Sequence, residues 1–172
     1  MNFGKLIKDT DKDKPISIPI GKFSIKNKGS VVKISEFYIN FYNKLIENFG
    51  LECKETRYVH NDKGGDLKPV QFDWVAYKKV DDFARIRFNF IANAFFVKGD
   101  NVMGIFIISY TLELDHKEEK KWRNSGLLKL LLPYYLRFIY NKQILQWLDY
   151  FGGELSSIKN ELRTLMNMNI FD

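Results

Sequence analysis

Apolar and polar residues alternate from Val70 to Leu114, and that period of two marks half-buried β-strands. In "VQFDWVAYKK" (70–79), Phe72, Trp74 and Ala76 share a face, leaving Val75, Tyr77 and Lys79 on the other. In "FARIRFNFIANAFFV" (83–97), Ala84, Ile86, Phe88 and Phe90 share a face. The opposite face begins polar, with Arg85, Arg87 and Asn89, and turns apolar at Ile91, Phe95 and Val97. "VMGIFIISYTLELDH" (102–116) sets Phe106, Ile108, Tyr110, Leu112 and Leu114 against Ile105, Ile107, Ser109, Thr111 and Glu113. With the more polar "ECKETRYVH" (52–60), these segments are joined by "NDKGGD", "VDD" and "KGDN". Such short connections predict an antiparallel meander. Before it, "ISIPIGKFSIK" (16–26) contains Pro19 and Gly21, which suits an edge strand, and "GSVVKI" (29–34) reads as a short strand.

The period changes at Glu36. Phe37, Phe41, Leu45 and Phe49 recur every four residues, predicting a helix with Ser35 as N-cap and Gly50 just past its end. Residues 126–150 are apolar nearly all round, which predicts a helix buried on more than one side. Gly152-Gly153 is expected to break or bend it, and an amphipathic helix follows with Leu155, Ile158, Leu162 and Leu165 inward. The expected fold class is α+β: an N-terminal helix, an antiparallel meander of four to five strands, and a C-terminal helical region on one sheet face. The order also matches a helix-grip arrangement by topology alone. One α+β domain over 16–172 is expected, preceded by a basic flexible arm over 1–15.

Two sheet faces need cover, and the helices supply one. Val75, Ile91, Phe95, Ile105 and Ile107 fall on the other, so they are candidates for a homodimer or protein-partner interface unless another part of the chain folds over them.

Charge adds a second candidate. The net charge is +6, and residues 1–33 hold eight lysines against three aspartates. Lys5, Lys8, Lys12, Lys14, Lys22, Lys26 and Lys28 therefore form the basic part of a candidate polyanion-binding surface, completed on the sheet by Tyr77, Lys79, Arg85 and Arg87. Cys53 is the one cysteine, so no intrachain disulfide forms, and no signal-peptide pattern opens the sequence. "LLKLLLPYYLRFIY" (127–140) is too short to span a bilayer, and its leucines are wanted on the sheet. Lys129, Arg137 and the Tyr134-Tyr135 pair beside these leucines would also suit an interfacial helix on a membrane surface, a reading ranked last for that reason. A cytoplasmic protein is expected, without membrane association.

No catalytic pattern is present. His60 and His116 lack metal-ligand spacing. Cys53 and His60 lie an odd number of residues apart, which on a regular strand places them on opposite faces. Asp81-Asp82 reads as a turn former. No catalytic, cofactor-binding or metal-binding residue is assigned, and no enzymatic activity is expected.

Several of these stretches resemble an uncharacterised archaeal protein family. The likeness rests on Trp74, Ala76, Lys78, Lys79, Val80, Asp81, Asp82 and Phe83 in one strand pair, on Tyr110, Leu112 and Asp115 at a strand end, and on Trp122 before the helical region. It covers roughly residues 37–168 and implies a small intracellular domain with no assigned activity. The expected function is a non-enzymatic binding module for nucleic acid or a ribonucleoprotein surface. A hydrophobic-ligand carrier and a protein-interaction domain are the alternatives.

Overall fold

The computed structural model describes residues 16–31, 33–60, 68–98, 101–114 and 124–166, and among these the side chains of 27–31, 68, 93–98 and 101–103 lie outside the description. Five strands form one antiparallel sheet: β1 (Ile16–Val31), β2 (Glu52–His60), β3 (Lys68–Lys79), β4 (Ala84–Lys98) and β5 (Asn101–Leu114). Their spatial order is β1-β5-β4-β3-β2. The last four are the expected meander. The basic arm expected over 1–15 lies outside the described residues.

β1 lies at the sheet edge, as expected, and differs from expectation in one way. The segments read as separate strands are one, with irregularities between Pro19 and Gly21 and between Lys28 and Ser30. An edge strand tolerates both, because its outer side needs no ladder donors. β1 also pairs with β5, so the chain must cross the sheet before it can begin β2. Helix α1 (Ile34–Glu47) makes that crossing. Its buried stripe is Phe37, Phe41 and Leu45. Phe37 stands edge-on to Phe106 of β5, Phe41 meets Phe90 of β4 and Trp74 of β3, and Tyr38 reaches Tyr58 of β2. The aromatic spacing is thus the means by which one helix spans four strands.

Lys33, rather than Ser35, holds the N-cap position, with no side-chain cap bond. Its carbonyl accepts from Phe37 N at 2.9 Å, and its ammonium pairs with Glu36 at 3.1 Å. At the other end Gly50 sits at φ 61 and donates to the Ile46 carbonyl at 3.0 Å, the left-handed stop expected there. Gly21 answers a different need: a Cβ there would lie 2.7 Å from the Tyr110 hydroxyl, so the ring of β5 lies directly over the edge strand's bare backbone.

The C-terminal region is α2 (Gly126–Tyr134), a π turn (Tyr135–Ile139) and α3 (Asn141–Leu165). Ser125 caps α2, accepting from Leu128 N at 3.5 Å. α2 runs through Pro133, and the irregularity falls in the π turn that follows, where the Tyr140 N–H reaches back to the Tyr135 carbonyl at 3.0 Å. Gly152 and Gly153 do not break α3, which runs through both. Ser156 and Ser157 donate to their carbonyls at 3.2 and 3.3 Å.

The helices pack on one face, against Phe72, Trp74, Phe88, Phe90, Phe106 and Ile108, all fully buried. From the C-terminal region, Leu132, Leu136, Tyr140, Ile144, Ile158 and Leu162 join that core. Asp81 ties the β3–β4 turn to it. One carboxylate oxygen accepts from Phe83 N at 2.6 Å and Ala84 N at 2.7 Å, and the other accepts from the Tyr140 hydroxyl at 2.6 Å. Asp81 is the turn former expected from sequence, with an anchoring role that sequence does not reveal. The all-round burial expected of 126–150 is not found: Leu127, Leu130, Leu131, Tyr134, Phe138 and Ile139 are exposed.

Candidate functional site

On the face away from the helices, register brings the sheet candidates together. Tyr77 lies opposite Arg87, and Lys79 opposite Arg85. Across β5, Arg85 lies opposite Glu113 and Arg87 opposite Thr111. The Glu113 carboxylate accepts from Arg85 Nε at 2.7 Å and from Arg87 Nη1 at 3.5 Å. Its side chain is 2% exposed, whereas those of Arg85 and Arg87 are 28% and 39% exposed. One buried carboxylate therefore holds two guanidiniums at the surface, leaving a net positive charge. Arg85 also stacks on the Tyr77 ring, 4.2 Å from its centroid. Arg87 Nε donates to Asn89 Oδ1 at 3.1 Å, and Asn89 Nδ2 donates to Ser109 Oγ at 3.5 Å.

β1 extends this surface. Lys22 lies opposite Ser109 and Lys26 opposite Ile105, so both exposed lysines share the arginine face. Lys79 is exposed and ion-paired with Asp82 at 2.9 Å. Lys5, Lys8, Lys12 and Lys14, and the side chain of Lys28, lie outside the described residues.

The apolar half of the face is also assembled. Ile91 lies opposite Ile107, and Val75 opposite Asn89. Val75, Ile91, Ile105 and Ile107 are all half-buried. Phe95 pairs by backbone with Val70 and lies within an irregularity between Asn93 and Phe96, and its side chain lies outside the described residues. Simple parity from Ile91 therefore does not carry to Phe95.

With this geometry in place, comparison with known proteins adds no relative. No family model matches the chain, and no curated protein or solved structure is significantly similar to it. The site has to be read from its own chemistry. Among the described residues, no group of three or more His, Cys, Asp and Glu could hold a metal, and no helix is long and apolar enough to cross a membrane.

A bulge corrects one sequence argument. Between Glu55 and Arg57 the register shifts, so Cys53, opposite Ala76, and His60, opposite Val70, share the helix-side face after all. The six strand residues between them still hold them about 20 Å apart, which excludes a dyad. His60 instead lines a depression of about 550 Å³ at the β2 edge, with Ile34, Tyr38, Glu55 and Tyr58 among its walls. Tyr38 donates to Glu55 there and accepts from Trp74 Nε1 at 3.3 Å.

Burial pushes the Cys53 thiol up to about 11, and burial, followed by the bond to Glu55, pushes the Tyr38 phenol up to about 12. Both stay protonated in the folded chain well above pH 9, while the unfolded chain loses the thiol proton near 9.0 and the phenol proton near 10.0. Above pH 9 the unfolded state thus binds fewer protons, and stability falls with rising pH. Their contribution is whole below about pH 9 and is lost as pH climbs through about 11 to 12. Urea midpoints at about pH 8 and about pH 10.5 should differ, with less difference in Cys53→Ala. Equal midpoints in the unmodified protein would contradict the assignment.

Proposed function

We propose that this chain is a non-enzymatic binding module for a polyanion, with single-stranded nucleic acid or a ribonucleoprotein surface as its partner. The supporting observation is the pairing of Arg85 and Arg87 over one buried carboxylate, with Tyr77 beside them and Lys22 and Lys26 on the same face. Guanidiniums suit phosphate, and Tyr77 offers an aromatic surface. The space between sheet and helices is occupied by Phe41, Trp74, Phe88, Phe90 and Phe106, which counts against a ligand carrier with its cavity there. Fluorescence anisotropy with poly-uridine RNA tests the reading. Binding should weaken steeply with salt, and Arg87→Gln should weaken it and reduce the salt slope by about one. No binding at low salt, or Arg87→Gln binding as tightly as the unmodified protein, would refute it.

A second reading is favoured by Val75, Ile91, Ile105 and Ile107, over which no helix of the described residues packs. This apolar half would serve self-association or a protein partner. Ile91→Asp is expected to stay folded and to abolish any concentration-dependent rise in size-exclusion mass. Unfolding of that variant would mean that the chain covers its own patch.

A further inference from the structure

We propose that the outer ridge formed by α2 and the π turn docks this protein on an anionic lipid surface. Leu127, Leu130, Leu131, Tyr134, Phe138 and Ile139 are between 47% and 72% exposed. Five of them follow helical spacing as one stripe, while Leu132, Leu136 and Tyr140 form the buried stripe on the other side. The leucines needed to cover the sheet are thus supplied by the inner stripe alone. The π turn widens the ridge, because Arg137, Phe138 and Ile139 are consecutive and all point outward.

Charge decides the occupant. Residues 124–148 contain Lys129, Arg137 and Lys142 and no Asp or Glu, and all three cations are exposed. A second copy seated on the ridge by two-fold symmetry would bring these cations against their own kind, with no carboxylate in the segment to separate them. A bilayer containing anionic headgroups fits both features. Leu, Phe and Tyr enter the headgroup–acyl boundary, and the Lys and Arg stems lie along the apolar surface with their charges at the phosphates. The ridge is on the helix layer and the Arg85–Arg87 face is on the far side of the sheet, so the two surfaces are separate.

The test is flotation of the full chain with vesicles of equal parts phosphatidylcholine and phosphatidylserine, beside pure phosphatidylcholine vesicles. The protein should float with the anionic vesicles and not with the neutral ones. Leu130→Asp with Phe138→Asp should reduce the bound fraction at least tenfold without changing the melting curve, since both side chains are mostly exposed. Lys129→Gln and Arg137→Gln should each weaken it about fivefold. Arg87→Gln should float like the unmodified protein, which separates this surface from the polyanion face. The proposal is overturned by no flotation with anionic vesicles, or by flotation that survives the double aspartate change. It is overturned equally by flotation lost in Arg87→Gln alone, or by a doubled solution mass that the double aspartate change reverts.

Discussion

Trp74→Ala should lower the free energy of unfolding by about 3–5 kcal/mol, the cost typical of emptying a large aromatic site in a core. Trp74 is fully buried on β3, and the rings of Phe41, Phe72, Tyr38 and Tyr42 lie within 4.8–5.8 Å of its own. These neighbours come from α1 and from β3 itself, so the cavity would open at the seam where the crossing helix meets the sheet. It would also leave the Tyr38 hydroxyl without the indole donor. Against a total stability of about 5–15 kcal/mol, the loss leaves a marginal protein. Urea denaturation gives the measurement, and a loss below about 1 kcal/mol would show that the seam collapses onto the space.

Glu113→Gln should act on stability and binding in opposite directions. The carboxylate is nearly fully buried and is the counter-charge that Arg85 and Arg87 share. Without its charge, two guanidiniums remain close together over a neutral amide. Removing one member of a fully buried pair costs about 3–5 kcal/mol, and the partial exposure of both arginines reduces this to about 2–3 kcal/mol. The same change leaves both arginines more strongly attracted to phosphate, so affinity for poly-uridine RNA should rise several-fold at low salt, with a steeper salt dependence. Loss of stability without gain in affinity would make the cluster purely structural.

The alternation in 70–79, 83–97 and 102–116, with its short turns, made the meander and the composition of its two faces legible. The helix over 34–47 was legible from Phe37, Phe41 and Leu45, and the face shared by Tyr77, Lys79, Arg85 and Arg87 follows from parity and the tight β3–β4 turn. What parity cannot see is a bulge. The shift between Glu55 and Arg57 put Cys53 and His60 on one face, and the irregularity after Asn93 uncoupled Phe95 from Ile91. Long-range pairing was equally hidden, because nothing local in residues 16–31 specifies β5 as their neighbour. The position of Glu113 opposite Arg85 was implicit in the register, but its burial beneath two arginines depends on how the side chains fold over it. The outward ridge was misread because an apolar segment looks the same whether protein or something else covers it, and a π turn has no sequence signature beyond the nearby Pro133.

The place of β1 has a consequence for synthesis. Ile16 pairs with Leu114, so β1, made before the other four strands of its sheet, waits for the last of them. At about 5–20 residues per second, roughly a hundred residues take about 5–20 s to follow. Through that interval Ile16, Ile18 and Ile25, which end in the core, have no sheet to join. The nascent chain can build its meander first and add β1 as the closing strand, which makes β1 the strand of this sheet most exposed to capture by chaperones or by another chain's unpaired edge.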